Sequence, residues 1–367
     1  MKKKLLTVLV VCAVLLGALT VYSLLSRSRR NTVDELIVDK KLINVLIAGS
    51  NVYNNNTHRF FAVVTVNPVN SNVGVTSIPP SYRVVTDERK GKTARIDQVD
   101  FDDFDDIKKS LLKSTNLNIH YYVELYSPDV VRIIDLFEGI DLFVLDQVRG
   151  LSNINFGENY FDGKKVVGYI NSVEEQSIYL KYDRIMDILL TLYYKREKLK
   201  PFNSIPFVNE VVRRVKTNLL PQEIVRIGQV IMGDGRLTSI MLPGGFEDDF
   251  YVVDDVSFAL YQNEFIKPLI LDTGDEQAVK IRILNGTNMP GLARKMRNSL
   301  IRDGMNVVEF GTSSYKKLKH SIIINRKGSF SAVEKVSEIT GIDKIYHIID
   351  NTRLNNILII IGEDLAY

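Results

Sequence analysis

Apolar positions along the chain follow two periods. Short runs and alternations at residues 44–48, 60–66, 73–78, 121–125 and 140–145 predict β-strands. Helical spacing over 105–114, 128–137, 183–194, 208–215 and 222–232 predicts amphipathic helices. Ser127 is placed to cap the second of these, with Pro128 in its first turn. Residues 268–277, with a glycine and several acids, predict a linker. A second series then begins: a strand at 279–284, a helix at 291–303 ended by Gly304, strands at 306–310 and 321–325, a helix at 329–340, and strands at 343–348 and 356–361. The mixture predicts an α/β (mixed α+β) chain. A large sheet-and-helix domain covers 42–267 and a small βαββαβ-like domain covers 278–367.

The start of the chain has a different character. Met1 to Lys4 is basic, and residues 5–25 carry no charge. As a helix that run spans about 30 Å, one hydrocarbon core. Arg27, Arg29 and Arg30 follow it. Its length and flanks predict an uncleaved single-pass anchor over residues 1–30. A signal peptide needs a shorter apolar region and a small-x-small cleavage site. A polar stem is expected over 31–41. Positive charge flanks both ends of the run, so charge alone leaves the orientation open.

Composition narrows the classes. Hydrophobic residues make up 45% and charged residues 25%, ordinary for a globular protein, and the net charge of +3 gives no polybasic surface for nucleic acid. Cys12 is the one cysteine, which excludes a disulfide within the chain and a cysteine-based metal site. His58, His120, His320 and His347 are scattered without zinc-ligand spacing. The acid run at 97–106 lacks the ligand order of a calcium loop and reads as a solvated helix entry. Asn285-Gly-Thr-Asn-Met-Pro-Gly291 joins a strand to a helix but lacks the glycine patterns of nucleotide-binding loops, so it reads as a turn.

Several segments, in order, resemble the LytR-CpsA-Psr family. Asn44-Val-Leu-Ile-Ala-Gly-Ser50 is similar to its opening strand, and Val63-Val-Thr-Val-Asn-Pro68 to its second strand and turn. Ser77-Ile-Pro79 resembles the start of its Ser-Ile-Pro-Arg-Asp motif. Tyr121-Tyr-Val-Glu124, Leu136-Phe-Glu-Gly-Ile-Asp141, Gly163-Lys-Lys-Val-Val-Gly-Tyr-Ile-Asn171, Asp183-Arg184, Thr217-Asn-Leu219 and Leu242-Pro-Gly244 resemble later landmarks. Val279-Lys-Ile-Arg-Ile-Leu-Asn-Gly-Thr-Asn-Met-Pro-Gly291 looks like the domain often appended to LytR-type members. The resemblance implies an extracytoplasmic domain on the cytoplasmic membrane. It also implies transfer of a polyprenyl-diphosphate-linked glycan to peptidoglycan with Mg²⁺.

The residues at the motif positions do not match that chemistry. A breaking diphosphate ester needs arginine clamps and metal-holding carboxylates. The first acid of the family falls on Asn51, its Arg-Ser-Asp on Thr57, His58 and Arg59, its Arg-Asp on Pro80 and Ser81, and its next arginine on Asn171. The first arginine of the helix motif falls on Lys181, and only Arg184 is kept. The composition of this region agrees in any register. Residues 42–86 contain no Asp or Glu, although 44 acids in 367 residues would place about five in such a stretch. Arg184, Lys181, Arg59, Arg83 and Arg95 remain as candidate diphosphate ligands.

Three functions stay open on these residues. The first is an altered, non-catalytic domain that binds a lipid-linked glycan, peptidoglycan or an envelope partner, with no cofactor. The second is an active glycopolymer phosphotransferase whose Mg²⁺ ligands have moved to Asp87, Glu88 or Asp97. The third is a structural assembly protein that keeps only the fold. A DNA-binding regulator fits neither the charge nor the apolar start. Oligomeric state is not encoded in any pattern found.

Overall fold

The computed structural model describes residues 32–50, 60–99, 104–145, 148, 150–172, 178–271, 279–315, 318–327, 331–350 and 353–366. The expected anchor over 1–30 lies outside them. Among the described residues no helix is long and apolar enough to cross a membrane.

The first domain runs α1 (Thr32–Val38), β1 (Ile43–Ser50), β2 (Phe60–Val66), β3 (Val73–Ile78), β4 (Arg83–Asp87), β5 (Lys92–Arg95), α2 (Phe104–Thr115), β6 (Tyr121–Tyr126), α3 (Ser127–Leu136), β7 (Ile140–Val144), β8 (Gly157–Phe161), α4 (Gly163–Asn171) and α5 (Ile178–Tyr194). It continues with α6 (Ile205–Val212), β9 (Lys216–Thr217), α7 (Pro221–Ile231), β10 (Leu237–Met241), β11 (Gly245–Glu247), β12 (Phe250–Val252), α8 (Asp255–Tyr261) and α9 (Lys267–Leu271). Six strands form one sheet in the order β10-β3-β2-β1-β6-β9. The central three are apolar almost throughout because helices and loops cover both faces. Alternation sorts their side chains. Leu46, Ala48, Phe61, Val63 and Ile78 pack with Ile107, Leu111, Tyr261 and Phe265 on one face. Val45, Ala62, Val73 and Val75 pack with Met186, Leu190 and Ile227 on the other.

Two boundaries differ from expectation. The stem is not a free polar segment, because residues 32–38 are helical. Val33 and Leu36, one turn apart, bury their side chains in the core, and Asp34 pairs with Arg226 at 2.8 Å. Nor does the linker begin at residue 268. α9 extends to Leu271 and is held by the Nδ2 groups of Asn67, Asn70 and Asn72, all donating to the Leu269 carbonyl at 3.2–3.3 Å. These bonds fill an acceptor that the helix end would leave open. Gly74 makes room, since a Cβ there would lie 3.0 Å from Phe265 and 3.1 Å from Leu269.

The second domain runs β13 (Lys280–Asn285), α10 (Leu292–Arg302), β14 (Asn306–Thr312), β15 (Ile322–Asn325), α11 (Ser331–Thr340), β16 (Ile345–His347) and β17 (Ile357–Ile361). Gly304 ends α10 with φ +81°, the left-handed cap expected of it. The βαββαβ order is present with one strand more. β17 enters the middle of a sheet ordered β14-β13-β17-β15-β16, parallel to β13 and antiparallel to β15. One face, with Ile283, Ile323 and Ile359, lies under Leu300, Val333 and Val336 of the two helices. The other, with Leu284, Ile322, Ile324, Leu358 and Ile360, packs on Phe143 of β7.

Candidate functional site

Strands β10, β3, β1 and β6 point the same way, and β2 and β9 run against them. The carboxyl ends of the four parallel strands therefore share one edge of the sheet, the place where open α/β sheets bind ligands. Ile78, Phe60 and the Ser77-Ile78-Pro79 motif lie there.

α5 is fastened to this edge. The Tyr182 hydroxyl donates to the Ile78 carbonyl at 2.7 Å, and the Tyr182 ring meets Phe60 with centroids 4.9 Å apart. Lys181 and Arg184 leave the same helix three residues apart, so they share a side of it. The Arg184 guanidinium lies over the ring of Tyr169 from α4, 4.1 Å from its centroid, an attraction to the ring face. The Tyr169 hydroxyl donates to Asp187 Oδ2 at 2.7 Å, and Asp187 Oδ1 accepts the Ile349 amide of the second domain at 2.5 Å. Asp187 is 2% exposed. Burial pushes its carboxyl up to about 7, against the pull of the Ile349 amide, the Tyr169 hydroxyl and Arg184. Burial, and then the adjacent Asp187, also holds the Tyr169 hydroxyl well above its ordinary value.

The other candidate cations are placed differently. Arg83 and Arg95 face each other across the β4–β5 hairpin, and each holds an acid: Arg83 with Glu247 at 3.0 Å, Arg95 with Asp97 at 2.7 Å. Arg83 also lies over Phe250. Pro80 is buried, and its carbonyl accepts the Asp97 amide, while that of Ser81 accepts the Tyr251 amide. Asn171 is exposed at the end of α4. Asn51, Thr57, His58 and Arg59 lie outside the described residues.

Asp187, which joins this cluster, matches no motif in the sequence. Its signal was an acid one turn after Asp183 on a helix face that otherwise carries Met186 and Leu190. Such an acid has to be satisfied inside the protein. Among the described residues no three His, Cys, Asp or Glu side chains stand close enough to hold a metal. The Asp187 carboxyl is committed to two donors, and burial favours its protonated form.

Comparison with known proteins starts with the second domain. The LytR_C family, described as LytR cell envelope-related transcriptional attenuator, matches residues 278–365. The chain carries a LytR C-terminal domain. The fold of the first domain is shared with solved structures. B. subtilis TagV is 18% identical, with 63% of this chain and 98% of that one covered and a TM-score of 0.52. A transcriptional regulator from Enterococcus faecalis is 18% identical over 64% and 89%, with a TM-score of 0.51. TagT bound to LI-WTA is 18% identical over 61% and 91%, with a TM-score of 0.50. No curated protein matches the chain. The LytR C-terminal domain thus follows a first domain of TagV-like fold, the order that the sequence motifs implied. It meets that domain at α5, the helix that carries Arg184.

Proposed function

We propose that the first domain binds the diphosphate of a polyprenyl-linked cell-envelope glycan at the carboxyl edge of its sheet, and does so without metal-dependent transfer. One observation carries this reading. Among the described arginine candidates, Arg83 and Arg95 end on a carboxylate, whereas Arg184 lies over an aromatic ring, on the helix that Tyr182 fastens to the strand ends. A guanidinium so held can clamp phosphate oxygens in two-point geometry. The fold shared with TagT bound to LI-WTA supports the glycopolymer class. The absence of any acid from 42–86 supports binding over Mg²⁺-dependent catalysis. The chain is anchored in the cytoplasmic membrane by residues 1–30, with the remainder on the outer side.

The test measures binding and turnover of a lipid-diphosphate glycan by the full chain, with and without Mg²⁺. Binding that Mg²⁺ leaves unchanged, with no transfer, is expected. Robust Mg²⁺-dependent transfer would establish the phosphotransferase instead. No binding by wild type would leave a structural role. Protease added outside intact cytoplasmic membranes should digest the part after residue 31, and protection would reverse the topology.

A further inference from the structure

We propose that Asp187 is a positioning residue for Arg184, and that the LytR C-terminal domain completes it by supplying the Ile349 amide. This rests on the diphosphate-binding role given above to Arg184.

A carboxyl this deeply buried is costly unless its lone pairs are filled, and an apolar residue between Met186 and Leu190 would pack more simply. Asp187 meets the cost with two donors from two different domains. Oδ2 holds the Tyr169 hydroxyl, and Oδ1 holds the Ile349 N–H. Tying the phenol at its tip holds the Tyr169 ring in place between α4 and α5, and the face of that ring is the surface on which Arg184 lies. Arginine arriving at a ligand from many rotamers loses affinity to ordering, and a stacked guanidinium has already given up that freedom.

The amide at the other end is equally fixed. The Ile349 side chain is buried in the first domain's core cluster, and His347, two residues earlier, stacks on Tyr194 of α5. Tyr346 packs on Phe143. The Ile349 N–H therefore cannot leave Asp187 unless the second domain lifts from α5. Docking of the LytR C-terminal domain and the aim of Arg184 are then one linked equilibrium. Anion binding at Arg184 favours docking to the same extent that docking favours anion binding.

Two measurements on the full chain test this. Arg184 should give a side-chain Nε–H resonance, assigned by its loss in Arg184→Ala. That resonance should move in Asp187→Ala and stay near its wild-type position in Asp187→Asn, which keeps the shape and an acceptor. Calorimetric titration with inorganic pyrophosphate should show a Kd raised roughly ten-fold in Asp187→Ala and changed by no more than about two-fold in Asp187→Asn. If Asp187→Ala does not fold, Tyr169→Phe removes only the hydroxyl and should move the same resonance. An unmoved resonance in a folded variant overturns the proposal whether or not pyrophosphate binds. Wild-type pyrophosphate affinity in folded Asp187→Ala overturns it too. A resonance that moves in Asp187→Ala, with a wild type that binds no pyrophosphate, keeps Asp187 as a positioning residue and removes the diphosphate role of Arg184.

Discussion

The imidazole of His347 lies flat on the ring of Tyr194, with centroids 3.9 Å apart and planes 6° from parallel. His347 comes from the end of β16 and Tyr194 from the last turn of α5, so the stack joins the two domains. His347 is 7% exposed, and its Nδ1 has no hydrogen-bond partner among the described residues. Burial pushes its pKa down to about 3.

This makes the junction sensitive to acid. His347 is neutral in the folded protein, while its value in an unfolded chain is about 6.5. Its contribution is whole above 6.5 and is lost as pH falls from there toward 3. His347→Phe keeps a flat ring that cannot take up a proton. Its melting temperature relative to wild type should be higher at pH 4.5 than at pH 7.5. Equal differences at the two pH values would remove His347 as the cause.

Asp187 should give the opposite slope. Its folded pKa of about 7 lies above the ordinary carboxyl value. The stability tied to its proton is present below about 4 and is lost as pH rises toward 7. Asp187→Asn should therefore gain on wild type as pH rises from 4 to 8, by a few kcal/mol at most. Urea midpoints at pH 4, 6 and 8 measure this. A constant difference would mean that the carboxyl keeps an ordinary pKa.

Arg184 should separate affinity from stability. Arg184→Ala should weaken pyrophosphate binding about ten-fold or more and shift the melt little, because the side chain is only half-buried. Arg184→Lys should recover only part of the loss, since an ammonium lacks the planar fork. Arg83→Ala should cost less than Arg184→Ala, because Glu247 already takes up the Arg83 charge. Equal losses would spread the anion site beyond α5.

A fragment from Asp275 to Tyr367 should melt cooperatively, because the core under α10 and α11 lies wholly within it. It should also self-associate, since Leu284, Ile322, Ile324, Leu358 and Ile360 lose the cover of Phe143. Sedimentation at several concentrations reads this directly. A monomer at all of them would mean that the face closes in another way.

The parts of the fold that bury apolar residues were legible in the sequence. β2 and β3 occupy the residues that the apolar runs marked, and α10 stops at the glycine expected to stop it. The exposed hairpins were not. β8 alternates exposed and half-buried residues until Phe161, and β11 is exposed throughout, so neither carries an apolar signal. α5 begins at Ile178, before the expected 183. Tyr182 is held by the Ile78 carbonyl, a contact 104 residues away that no local pattern records. Arg184 stands out in the sequence because its motif position is kept. Asp187 matched no motif, and its partners lie 18 and 162 residues distant.

β7 has no side left for water at its centre. Leu142 and Val144 turn into the first domain's core, and Phe143 between them turns into the sheet of the second. The strand's two-residue alternation thus works as a seam, with successive stitches in different domains. Adding or deleting one residue in β7 would exchange these directions, offering Phe143 to the wrong core and pulling Leu142 out of the right one. The hairpin that carries it therefore tolerates substitution far better than any change in length. A graft of the LytR C-terminal domain onto another protein would have to bring residues 140–161 along to reproduce its seat.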